Sequence, residues 1–135
     1  MKTELFYLLL TAILTGVLWI PVVIGYAVAR GPLKPDDYVV APDSPLPAWV
    51  TRANRAHLNA VETFAPFAAL ILIAQFSGIS TPLTQIGAAA YFYLRLLHAV
   101  VHISGFKFLM ARTLIFTAAW LAFMVIAVEL LRHAF

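Results

Sequence analysis

Four stretches of the chain are almost unbroken hydrocarbon, at about residues 5–29, 49–76, 83–103 and 109–131, divided by short polar breaks. Each is longer than a strand, and none alternates apolar and polar positions as a barrel strand does. A bilayer core of about 30 Å needs about 20 apolar helical residues per crossing. The pattern therefore predicts an all-α integral membrane protein, a bundle of four transmembrane helices in one domain over 1–135. Pro21 and Gly25 in the first segment and Pro66 in the second predict bends of the kind that neighbouring helices tolerate. The first segment, with Lys2 before it and AVAR at its end, superficially resembles a signal peptide. Its apolar run is longer than a signal core and Glu4 sits before it, so it is expected to stay as a span.

The breaks differ in kind. Residues 30–48 hold most of GPLKPDDYVVAPDSPLPAW, whose five prolines and three aspartates predict an extended surface loop. SGISTP at 77–82 is a tight, uncharged turn, and SGFKFLMAR joins the third and fourth segments. Arg30, Lys34, Arg52, Arg55, Lys107 and Arg112 gather on the side of the first and third connections, against only Lys2 and Arg132 on the other. The positive-inside rule places those two connections in the cytoplasm and both termini on the opposite side.

Composition agrees with this layout: 63% of the 135 residues are hydrophobic and 11% charged, where soluble domains carry roughly a quarter charged residues. The net charge of +3 is scattered, with no basic, aromatic-interleaved surface for nucleic acid. Cysteine is absent, so any thiol chemistry must arrive with a ligand.

The candidate chemistry lies where apolar residues are expected. In RANRAHLNAVETFAPF, Arg52, Arg55, Asn59, Glu62 and Pro66 follow one another at helical spacing and share one stripe, with His57 off it. Glu62 lies two turns, roughly 10 Å, beyond Arg55 along the helix. The third segment repeats the arrangement with Arg95, His98 and His102. Charged groups in a span cost several kcal/mol unless paired or hydrated, and mark binding sites or pathways by default. The plain alternative is a Glu62 pair with Arg95 or Arg55 that only knits the bundle. His98 and His102, four apart, would suit a metal only with further ligands, and no metal is expected. A proton relay or channel fits less well, because the first and fourth segments are nearly bare of polar groups. No G-x-S-x-G or similar nucleophile setting is present.

RANRAHLNAVETFAPF resembles the signature of the MAPEG family, membrane-associated proteins in eicosanoid and glutathione metabolism, and its RAHLN core followed by Glu and Pro is especially similar to the microsomal glutathione transferases. The proline-rich loop before it, YLRLLHAVVH in the third span and ART at the start of the fourth extend the likeness over most of the chain. The resemblance implies a homotrimer with glutathione as cosubstrate at subunit interfaces near the cytoplasmic side, and a hydrophobic small-molecule substrate arriving from the membrane lipids. It assigns glutathione contacts to Arg55, Asn59 and Glu62, with His57 a further contact from a neighbouring subunit and Arg30 reaching a carboxylate. Arg52 and Arg95 complete the expected binding set.

These groups suit the ligand's chemistry: arginines bind its two carboxylates, and Glu62 is the natural partner of its ammonium. Arg112 resembles the family arginine that stabilises the thiolate. A guanidinium cannot act as a base, so the proton would leave to water or to His98 or His102. These histidines stand where conjugating relatives carry tyrosines, Thr63 replaces another tyrosine, and Tyr91 and Tyr93 are assigned to other faces. The function expected is a membrane glutathione transferase, with peroxidase activity as a possible addition. The second expectation is a non-catalytic lipid-binding accessory protein of the same family.

Overall fold

The computed structural model describes residues 1–40 and 43–134; Ala41, Pro42 and Phe135 lie outside it, as does the side chain of Leu109. Two residues of the predicted 30–48 loop thus fall outside the described residues. The helices are α1 (Thr3–Val17), α2 (Ile20–Arg30), α3 (Ala48–Phe76), α4 (Pro82–Ser104) and α5 (Ala111–Ala134). α1 and α2 together make the first of four segments long and apolar enough to cross a membrane.

Local sequence explains the boundaries. The break between α1 and α2 falls at Leu18 and Trp19, just before Pro21, which sits in the first turn of α2 where its missing N–H is least costly. Gly25 lies within α2, which continues through it. A Cβ there would lie 2.5 Å from Val50 Cγ2 and 2.9 Å from the Trp49 ring, so this glycine lets α3 approach. Pro66 is likewise carried inside a continuous α3. It removes the bond to the Glu62 carbonyl, and the next carbonyl, Thr63, accepts from the Tyr91 hydroxyl at 2.9 Å. α4 starts on a reciprocal cap in which Thr84 N–H donates to Thr81 Oγ1 and Thr81 N–H donates to Thr84 Oγ1. Within the proline-rich loop, Pro35–Tyr38 forms a 3₁₀ turn held by Lys34 N–H donating to Asp37 Oδ2 at 2.7 Å.

Lipid is as apolar as leucine, so packing and polar bonds hold a membrane bundle together more than water exclusion does. The helices accordingly meet through small residues: Ala53, Ala56 and Ala60 of α3, Ala88 and Ala99 of α4, Ala119 and Ala122 of α5 are buried. Large apolar side chains such as Ile13, Ile73, Ile86, Val100, Leu121 and Val128 point outward. Phe67 stacks on Tyr91 with ring centroids 3.9 Å apart, and Ile71, Ala88, Ile126 and Leu130 continue the core beyond them. At the end carrying the termini, buried Glu4 accepts from Ser80 Oγ (2.9 Å) and Thr84 Oγ1 (2.6 Å), tying the start of α1 to the α3–α4 turn.

Candidate functional site

At the other end, near the α2–α3 and α4–α5 connections, the helices diverge around polar groups. α4 supplies Tyr91, Arg95, His98 and His102, spaced four, three and four apart and all buried. α3 faces them with Arg55, Asn59 and Glu62, of which Asn59 is half-buried and the other two exposed. Arg112 is exposed in the first turn of α5. Two residues before it Met110 takes the left-handed backbone (φ 51°), turning the chain sharply into that helix.

Three cavities adjoin one another along this seam. At the mouth, about 430 Å³ is bordered by Arg52, His102, Gly105, Lys107 and Arg112, among others. The next, about 490 Å³, is lined by Arg55, Leu58, Asn59, Glu62, His98, His102, Arg112, Thr113 and Phe116. Six of the ten residues picked out from sequence therefore meet in one groove, supplied by three helices. Deeper still, a chamber of about 230 Å³ is bounded by Glu62, Thr63, Pro66, Tyr91, Arg95, Phe116, Ala119, Trp120 and Phe123. His102 and Arg112 border both the mouth and the groove, and Glu62 and Phe116 border both the groove and the chamber. Past Tyr91 the Phe67, Ile71 and Ile126 packing fills the bundle, so the groove is blind rather than a path across.

The groove's charges are largely unspent. Arg95 Nη2 donates to Asn59 Oδ1 at 2.8 Å, while its buried Nη1 has no partner. Its guanidinium also lies over the Phe116 ring, 5.8 Å from the centroid. Among the described residues the ion pairs are those of Glu129 with Arg132 (3.5 Å) and His133 (3.9 Å), and Glu62 makes none. The alternative in which Glu62 simply neutralises Arg55 or Arg95 within the subunit is thus not what the structure contains. His98 and His102 stand edge to face at 5.5 Å, and His102 Nδ1 is buried without a partner. Among the described residues no three His, Cys, Asp or Glu side chains gather as metal ligands do.

Three expected residues lie apart from this cluster. Arg52 borders the mouth, but its Nε donates to the Ile103 carbonyl at 3.0 Å, capping the end of α4. Arg30 packs over Tyr26 (4.8 Å to the ring centroid), donates to the Ser44 carbonyl at 3.4 Å and lines a separate cavity with Leu33 and Tyr38. His57 is half-buried on another face of α3 and lines none of these cavities. In the other direction, Tyr91 was assigned to another face, yet it lies four residues before Arg95 on the same stripe and walls the chamber. That spacing was the available signal. Phe116 and Trp120 belong to the site with no such signal, since their segment is apolar all round.

Four apolar helices around a blind polar groove, open at one end, define an integral multi-pass membrane protein. The MAPEG family model matches residues 5–132, nearly the whole chain, and the chain belongs to that family. No curated protein matches it.

Proposed function

We propose that the protein is a membrane-bound glutathione transferase that joins the thiol of glutathione to a lipophilic electrophile taken from the bilayer. The observation that carries this reading is the groove itself: Arg55, Asn59, Glu62, His98, His102 and Arg112 converge, Glu62 makes no ion pair among the described residues, and a largely apolar chamber adjoins them. A ligand with two carboxylates and an ammonium complements Arg55 and Glu62 in the groove, with Arg30 of a neighbouring subunit taken for the second carboxylate. Arg112 lines the groove and makes no side-chain hydrogen bond among the described residues, which supports its taking the thiolate-stabilising role. Of the two histidines His102 is taken as the proton acceptor, because it borders both mouth and groove.

The same reading takes the working unit as a homotrimer with the site completed between subunits. Arg30 and His57, expected as ligand contacts, lie outside the groove of their own chain and are available to a neighbour's. The positive-inside count supports a groove that opens to the cytoplasm.

Calorimetry on detergent-purified protein tests the proposal. Wild type is expected to bind glutathione, and Arg55→Ala and Glu62→Ala each to weaken it by about tenfold or more, the loss of one charge-assisted contact. Absence of binding by wild type at millimolar glutathione sinks the transferase reading. Binding without thiolate absorbance or conjugation of a hydrophobic electrophile would favour the accessory role.

A further inference from the structure

Arg95 is 5% exposed, yet among the described residues one of its terminal nitrogens has neither a partner nor a counter-charge. Its single side-chain hydrogen bond, through Nη2, goes to a neutral amide oxygen. A buried guanidinium held this way is expensive in a membrane interior unless something else completes it. The residue lines the chamber, whose walls also carry Glu62 and Thr63 beside the apolar Pro66, Phe116, Ala119 and Phe123. Tyr91, whose hydroxyl donates to the Thr63 carbonyl, makes no hydrogen bond to Arg95 among the described residues. Glu62 makes no ion pair with it, and as the carboxylate shared by groove and chamber it opposes the passage of a second anion. What fits is a neutral, apolar molecule with one acceptor oxygen.

We propose that the chamber is the electrophile subsite, and that it selects α,β-unsaturated carbonyl compounds whose carbonyl oxygen accepts from Arg95 Nη1. This rests on the transferase reading for its chemistry, though not for its binding. In the addition, the thiolate sulfur forms a bond to the β-carbon and the C=C π pair shifts toward the carbonyl. The resulting enolate oxygen is held by Arg95 Nη1, which keeps its proton. Water then supplies the proton that reaches the α-carbon, so no oxidant, reductant or leaving group is needed. Charge that develops on oxygen only during the reaction is what a fixed, unsatisfied guanidinium stabilises best. Arg95 is then an oxyanion donor rather than one more glutathione contact.

Binding and turnover test separate parts of this assignment. In the absence of glutathione, a small aromatic ketone is expected to bind wild type at least tenfold more tightly than the hydrocarbon of the same shape. Arg95→Gln should erase that preference, and Ala119→Leu, which intrudes on the chamber away from the groove, should weaken the ketone without changing glutathione affinity. Because Ala119 is well buried, Phe123→Ala is run beside it, and this enlargement should admit a bulkier ketone. In turnover, Arg95→Gln should slow addition to an aromatic enone at least tenfold more than displacement of chloride from a benzyl chloride, where no oxyanion forms. Equal slowing of both reactions, or ketone binding indifferent to all three substitutions, overturns the assignment. Failure of wild type to bind glutathione while the ketone preference stands would instead overturn the transferase reading alone.

Discussion

Arg112 and Arg95 are both cations of the site, but their surroundings give them different work. Arg95 is fixed by Asn59 and buried, whereas Arg112 is exposed, borders both mouth and groove and makes no side-chain hydrogen bond among the described residues. A mobile cation near a thiol lowers its pKa without fixing the rest of the ligand. Arg112→Ala is therefore expected to raise the pKa of bound glutathione's thiol by about 1 to 3, the range for losing one nearby opposite charge. Binding should weaken by less than the effect on the thiol. The ultraviolet thiolate absorbance of the bound ligand, titrated with pH, reads this directly, and an unchanged titration removes Arg112 from the role.

Helices position these residues, and their ends are where the sequence was hardest to read. Gly105, at φ 75°, ends α4 in the left-handed conformation, and the Arg52 guanidinium lies against it while donating to Ile103. Gly105→Ala should destabilise the protein by about 1–2 kcal/mol from the backbone alone. It should also displace Arg52, because a Cβ would sit 2.9 Å from its Cζ. Arg52→Ala removes the same carbonyl bond, so the double variant is expected to lose less than the sum of the two singles. Thermal unfolding midpoints in detergent check this, and an unchanged midpoint for Gly105→Ala would refute the capping role. The polar stripes of α3 and α4 were legible because helical spacing alone puts Arg55, Asn59 and Glu62 on one face and Arg95, His98 and His102 on another. The engagement of Arg52 with Ile103, 51 residues away, and of Glu4 with Thr84, 80 away, was not legible, because such pairings are made by packing rather than by local pattern. The role of Gly25 in leaving room for Val50 was hidden for the same reason, since only the folded helix pair reveals it.

For the molecule as a whole, the two ends of the bundle are built to different purposes. The end with the termini is closed, by the Glu4 tie to Ser80 and Thr84 and by the packing around Ile126 and Leu130. The end with the α2–α3 and α4–α5 connections is open, cationic and leads to the chamber. The proposed transferase reaction needs the open end on the side that holds the thiol substrate, and four crossings would put both termini on the other side. The chain has no cysteine, so single introduced cysteines report topology without background. Lys107→Cys, at the exposed mouth, is expected to resist a membrane-impermeant maleimide added outside intact cells and to react once the membrane is opened. His133→Cys, exposed at the end of α5, should react before opening. The reverse pattern would turn the groove away from the cytoplasm and remove the supply of glutathione on which the proposed reaction depends. Labelling of both from one side would contradict the four-crossing arrangement itself.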